Sequence, residues 1–393
     1  MSKILVVDDE LQIIKVMQRL FAETEYEILT AESGADALDL LENNEIDMII
    51  SDMKMPHMDG YQLLSIIKEK YPNIIRISLS GYAEETSMYK ASLHNISDYN
   101  IFKPWNNQKL LQDIQRIFAT HNRLKEANFD RITSDTEFLK EMPLNCKTLL
   151  NHIENEDEDA LIEAIEKDEE ISNLLMSITN SAIYGAMPGS VKQAALYMGM
   201  HNIKCFLYWA AMIIHAGYKE QEDTLLDLLW KHAYTTNKIF LFLYEAFLHK
   251  QPHDSYLFTG LLHNAGLVAL VQEYKELYLD LFESSEHILK DLLSLEKEKF
   301  DVQHPEVGAF LIHRWDLPYP IMEAALYHHN PLDAGIINTE LVCCVHIAEY
   351  YAWRFIYEKN YSELKEDAFK RINVSKEDFE NRLERYMKKV LLV

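Results

Sequence analysis

The chain has 393 residues, and 38 Lys and Arg stand against 63 Asp and Glu, a formal net charge of −25. That length has room for two or three domains, and a hydrophobic content of 48% excludes a chain dominated by disorder. The acid excess excludes nucleic acid and an anionic membrane surface as partners, since both are recognised through Lys and Arg; with 19 acidic and 13 basic side chains in residues 1–125, no basic module is hidden in the average.

Residues 4–7, 27–30, 48–51, 74–79 and 99–102 are short runs rich in β-formers, and helical spacing fills the intervals, as in Ile13, Val16, Met17 and Leu20. Strands alternating with helices at this period predict a parallel sheet covered on both faces. Five such units predict an α/β doubly wound, flavodoxin-like sheet, whose ligand crevice lies at the carboxyl ends of the strands. From residue 110 onward the pattern turns helical. Residues 121–137 read as a helical linker, and the remainder, dense in Leu, Ala, Met and Tyr, as all-α. The last helix is expected to start near Ser375, capped by Ser375 and Asp378, with Phe379, Leu383, Tyr386 and Val390 on its apolar face. Cys146, Cys205 and the adjacent Cys343 and Cys344 show no disulfide spacing and read as small buried hydrophobes of a reducing compartment. The N-terminus turns acidic at residue 8, unlike a signal peptide, and the apolar stretch 205–218 is too short to span a bilayer. The expected location is cytoplasmic.

Asp8 and Asp9 follow the first strand, Asp52 the third, Ser80 the fourth and Lys103 the fifth. Three carboxylates converging on one crevice repel unless a cation lies among them, and hard oxygen ligands suit Mg²⁺. A nucleophilic carboxylate, a metal, a hydroxyl and an ammonium suit phosphoryl transfer onto Asp52, with Lys103 and Ser80 stabilising the phosphoryl oxygens.

Residues 1–120 resemble a response-regulator receiver domain, through ILVVDDE at the start, IISDMKMPHMDGYQLL around Asp52, LSGY with Ser80, and IFKPW with Lys103. The resemblance implies phosphorylation of Asp52 by a sensor histidine kinase. It also implies Mg²⁺ held by Asp9, Asp52 and the backbone carbonyl of Lys54, with Asp8 assisting. The family's switch aromatic stands three residues before the lysine; here that position is Asn100, with Tyr99 one residue earlier.

The second half holds His232, His263, His304 and the pair His328-His329. Histidines from several helices can meet as a metal site. Yet His263 is followed by Asn264, a neutral side chain that cannot bridge two ions, and only Glu349 offers a terminal acid. The favoured reading makes each histidine a partly buried hydrogen-bonder with its own local partner. Asn180 and Ser181 read as helix-end residues, Trp209, Trp230 and Trp315 as core, and Met198 and Met200 as packing.

Residues 138–335 resemble an HDOD domain, an output domain related to the HD phosphohydrolases. The motifs are IEKDEEISNLLMSITNSAIYG, MGMHNIKCFLYWAAM, LWKHA, GLLHNAGLVAL and HPEVGAFLIHRWDLPYPIMEAALYHHNP. The resemblance implies an HD-like helical fold without a complete ligand set: His232, His263, His304 and His329 persist, and Asn264 stands where the HD pair has its acid. It implies a non-catalytic output that acts through an unknown downstream protein, with no metal of its own, and the pairing common among receivers makes a homodimer an option. The alternative is a metal-dependent phosphohydrolase, or a cyclic-nucleotide phosphodiesterase or sensor. Residues 336–393 are expected to form C-terminal helices packed on the output domain.

Overall fold

The computed structural model describes residues 2–81, 96–127, 129, 144–155, 157–180, 188–198, 203, 206–211, 224–252, 256–315, 317–357 and 361–390. The chain divides into two compact units, Met1–His121 and Asn122–Val393. Ser181, Met200, Cys205, residues 130–137 of the expected linker and part of the 205–218 stretch lie outside the described residues, as do the side chains of Asn180 and Val390.

In the first unit β1 (Lys3–Val7), β2 (Glu27–Ala31), β3 (Met48–Asp52), β4 (Ile75–Gly81) and β5 (Tyr99–Lys103) form one sheet in the order β2-β1-β3-β4-β5. Every adjacent pair is parallel. The order reverses direction at β1, and a doubly wound sheet opens its crevice beside such a reversal. Strands buried on both faces need apolar residues throughout, and Ile4, Leu5, Val6 and Val7 are all fully buried. Helices Leu11–Phe21, Gly34–Asn43 and Gly60–Lys70 cover the sheet, the last placing Leu63, Leu64 and Ile67 against Leu5, Val7 and Ile49.

The strands run slightly past the expected ends. Asp52 and Lys103 are the last residues of β3 and β5, and Ser80 lies inside β4, because the ladder continues through Asp52–Leu79 and Gly81–Lys103. Gly60 has a packing reason of its own: a Cβ there would stand 2.1 Å from the Asp52 carbonyl oxygen. The helix N-terminus can therefore lie on the end of the strand that carries Asp52.

Helix Asn107–Glu126 ends five residues beyond the division between the units. In the second unit the long helix Thr224–Ala246 packs along Thr339–Ile356, while His304–Arg314 packs against both Ala265–Glu273 and Tyr319–Tyr327. Gly266 allows one of these contacts, since its Cβ would lie 2.0 Å from the His304 carbonyl oxygen and 2.4 Å from the Gly308 nitrogen. Thr339–Ile356, within the 336–393 segment expected to pack on the output domain, is buried in the second unit: Val342, Cys343, Cys344, Val345 and Ile347 are fully buried. Its N-terminus is held by buried Glu323, which accepts from the backbone of Ile337 (2.6 Å) and Asn338 (2.7 Å) and from the Asn338 amide (2.9 Å). The final helix, Lys376–Val390, starts where Ser375 Oγ accepts from the Asp378 nitrogen; it buries Phe379 and Leu383 and stacks Tyr386 on Phe242. Trp209 and Trp230 are buried with ring centroids 4.2 Å apart, and Trp315 is half-buried. Among the described residues no helix is long and apolar enough to cross a membrane.

Candidate functional site

At the carboxyl end of the sheet two buried carboxylates share one ammonium. Lys103 Nζ donates to Asp8 Oδ2 at 2.9 Å and to Asp52 Oδ1 at 2.5 Å. The remaining oxygens accept backbone N–H groups, Asp8 Oδ1 from Glu10 (2.8 Å) and Asp52 Oδ2 from Lys54 (3.2 Å). Burial raises the pKa of both acids, with Lys103 opposing it. Burial also works against the charge on Lys103, but its hydrogen bonds to Asp52 and Asp8 outweigh that, and its pKa is held above the usual value. Asp9 is exposed at the rim. Ser80 is fully buried, in register with Phe102 of β5. The donor set of Asp8, Asp9 and Asp52, all hard oxygens with two in a desolvated pocket, suits Mg²⁺, which would offset charge that a single ammonium leaves unbalanced.

The strand position three residues before Lys103 is polar and tied down. Asn100 Oδ1 accepts from Ser78 Oγ (2.5 Å) and Ser97 Oγ (2.7 Å), bridging β4 and β5. Tyr99 points elsewhere, its hydroxyl donating to Asp113 Oδ2 at 3.2 Å.

In the second unit the histidines expected to act singly come together. His232 lies 5.3 Å from His263 between ring centroids, His263 5.1 Å from His328, and His328 3.9 Å from His329. His304 stands 5.0 Å from His329. Local satisfaction and convergence coexist, because each ring has two nitrogens. Nδ1 of His263 bonds the Gly260 carbonyl (2.8 Å) and Nδ1 of His328 the Ala325 carbonyl (2.7 Å), each one helical turn back. A carbonyl fixes the proton on Nδ1 and leaves Nε2 as a lone pair; both of these buried Nε2 atoms lack a hydrogen-bond partner.

Two groups have donor atoms within 4.8 Å of one another: His304, His328 and His329, and His232, His263 and Glu349. Glu349 Oε2 is 3.6 Å from His329 Nδ1, so this acid faces both groups. Burial raises its pKa well above the usual value. Burial likewise pushes His263, His328 and His329 well below theirs, and His232 too, against a hydrogen bond to the Glu349 backbone. Nε2 of His304 and Nε2 of His329 are 2.9 Å apart and share a hydrogen bond, so that one of the two nitrogens donates and the other accepts. Imidazoles with unpartnered ring nitrogens, as on His263 and His328, beside the Glu349 carboxyl suit a borderline-soft dication. Asn264 is buried, and neither its Oδ1 nor its Nδ2 has a hydrogen-bond partner.

Three contributors had no signal in the sequence. Glu296 is fully buried eight residues before His304 and bonds it. Tyr278 donates to Glu296 Oε1 at 3.1 Å, burial and Glu296 holding its phenol well above the usual pKa. His346 bonds the His328 carbonyl through Nδ1 (2.7 Å) and accepts from the Lys365 nitrogen through Nε2 (2.9 Å). Pocket membership of this kind depends on which helix faces which, and no periodicity encodes that.

Comparison with known proteins supplies the context. A family model of the response regulator receiver domain matches residues 4–115, and one of the HDOD domain matches residues 140–331. The hydrogenase transcriptional regulatory protein HoxA of Bradyrhizobium diazoefficiens is 32% identical over 124 residues, 31% of this chain and 25% of that protein. The response regulator SaeR of Staphylococcus aureus is 29% identical over 138 residues, 34% of this chain and 60% of that protein. An uncharacterized protein of Treponema pallidum is 28% identical over 205 residues, 49% of this chain and 38% of that protein. The chain thus spans from 25% to 60% of the length of these curated relatives. Among solved structures, the signal receiver domain of an HD domain-containing protein from Pseudomonas fluorescens Pf-5 is 31% identical, covering 32% of this chain and 92% of that one with a TM-score of 0.31.

Proposed function

We propose that this chain, which belongs to the response regulators as a receiver domain joined to an HDOD domain, takes a phosphoryl group on Asp52 from the phosphohistidine of a sensor kinase. An Asp52 carboxylate oxygen attacks phosphorus, the P–N bond breaks, and the imidazole leaves with the electron pair and is protonated. The single observation that carries this reading is the shared ammonium: Lys103 bonds Asp52 and Asp8 at once, so a cation already stands where phosphoryl oxygens would gather. Asp8 and Asp9 would hold Mg²⁺ together with Asp52 and the Lys54 carbonyl; when bound, the ion supplies charge neutralisation for the transferred group. Ser80 donates a hydrogen bond to that group. The helical unit then acts without catalysis, through contact with a downstream protein. The test is incubation with acetyl phosphate and Mg²⁺, read by intact mass. A stable phosphoryl adduct in wild type that is absent in Asp52→Asn supports the reading; the same adduct in both variants removes it.

A second reading of the helical unit is favoured by the unpartnered Nε2 atoms of His263 and His328. In it, His232, His263, His304, His328, His329 and Glu349 hold a transition metal, as in a metal-dependent phosphohydrolase, and Asn264 limits the charge available to a second ion. Metal analysis of the purified full chain decides it: stoichiometric metal that is lost in His263→Ala supports the site, and a metal-free wild type removes it.

A further inference from the structure

We propose that Glu296 is a positioning residue: it locks His304 in the tautomer with its proton on Nδ1, so that a bare Nε2 is presented to the group formed with His328 and His329. The inference rests on the metal-holding reading of the pocket and adds to it a residue beyond the ligands themselves.

Glu296 has no exposed surface and receives donors on both oxygens. The His304 backbone nitrogen donates to Oε2 at 2.8 Å, and the Tyr278 hydroxyl donates to Oε1 at 3.1 Å. A backbone N–H can only donate. The third neighbour, His304 Nδ1, lies 2.9 Å from Oε2 and 3.1 Å from Oε1. A carboxylate accepting on both oxygens matches an N–H there, and an N–H there leaves the opposite ring nitrogen as a lone pair. A carboxylate behind a histidine in this way orients the ring and raises the basicity of its free nitrogen.

The local sequence builds this contact. Helix Ile288–Phe300 ends on Asp301, whose φ of 62° turns the chain sharply. Gln303 then opens the next helix, its Nε2 donating back to the Leu293 carbonyl at 3.0 Å. That turn sets the open N–H groups at the start of helix His304–Arg314 against the carboxylate on the preceding helix. Capping alone would occupy one oxygen. Here the second oxygen is held by Tyr278 and the ring nitrogen lies between the two, which is the arrangement that orients an imidazole.

Glu296→Gln replaces one acceptor oxygen with an NH₂. Against His304 Nδ1 that amide favours the other tautomer, with the proton on Nε2. The experiment uses the full chain labelled with ¹⁵N-histidine, stripped of metal and then titrated with Zn²⁺ against a chromophoric chelator. In the metal-free wild type, the His304 signal, identified by its loss in His304→Gln, should show a protonated Nδ1 and a bare Nε2. Glu296→Gln should shift that pattern and weaken Zn²⁺ binding by about 10–100-fold, and Tyr278→Phe should weaken it by less. A His304 protonated on Nε2 in the metal-free wild type overturns the inference, as does Zn²⁺ affinity unchanged in Glu296→Gln. If wild type binds no Zn²⁺, the metal reading fails, and the tautomer signal alone decides the role of Glu296. Should Glu296→Gln fail to fold, the wild-type tautomer and Tyr278→Phe carry the same decision.

Discussion

The two pockets of this chain solve the burial of charge in opposite ways. In the receiver, two carboxylates are buried with a cation between them, Lys103 bonding both Asp8 and Asp52. In the helical unit, Glu296 and Glu349 are buried among imidazoles, and among the described residues no Lys or Arg pairs with either. The first pocket is only partly balanced from within, with one ammonium against two carboxylates, and it has a further acid, Asp9, at its rim. In the second, burial holds His263, His328 and His329 well below the usual histidine value, and the Nε2 atoms of His263 and His328 have no hydrogen-bond partner. A pocket of fixed opposite charges suits the passage of an anionic group; a pocket of neutral lone pairs suits holding a cation.

The comparison is sharpest where one pocket can be disabled alone. Asp52→Asn should abolish acetyl-phosphate labelling completely, and His263→Ala should leave labelling at the wild-type level, as read by intact mass. Loss of labelling in His263→Ala would show the pockets to be one system.

Acid should separate the pockets next. His232, His263, His328 and His329 are held well below the usual histidine value and His346 at about 4. A lowered folded-state value means the unfolded chain takes up protons that the folded chain refuses. Stability is therefore complete above pH 6.5 and falls as pH drops below it, by up to about 1.4 kcal/mol per pH unit for each group. Glu349, with its raised value, acts with the opposite sign, one group against five. Melting of the metal-free chain from pH 7.5 to 5 should show the helical transition moving down steeply. A pH-independent transition would contradict the burial of neutral rings.

Lys103→Met removes the receiver's internal cation and leaves Asp8 and Asp52 facing each other. The expected loss is about 3 kcal/mol, the cost of breaking a largely buried pair, confined to the receiver transition in urea. Asn100→Ala should cost about 1 kcal/mol, because the Ser78 and Ser97 hydroxyls lose their shared acceptor, with labelling at Asp52 unchanged.

The receiver pocket was legible because strand ends in a doubly wound sheet are fixed by topology. Once residues 4–7, 48–51 and 99–102 are strands, Asp8, Asp52 and Lys103 must share one edge. The residue at position 100 was legible as a departure, but its clamp by Ser78 and Ser97 depends on strand register. The helical pocket was half legible. Its histidines stand out by type and their convergence is one of the two readings the sequence allows, but which ring nitrogen bonds the backbone and which faces inward depends on helix packing. Glu296 and His346 lie on helices whose facing is decided by packing, including the close approach of Gly266 to the His304 carbonyl and Gly308.

The bond from the Lys365 amide to His346 Nε2 has a consequence for hydrogen exchange. Most protected amides rest on a carbonyl, an acceptor indifferent to pH in the physiological range. This one rests on an imidazole whose other nitrogen is bound to the backbone of His328. Exchange at Lys365 should then follow two influences at once: protonation of His346 at about pH 4, and any shift of the His328 backbone when the pocket fills. A single amide outside the pocket would report on its occupancy without a probe placed inside it.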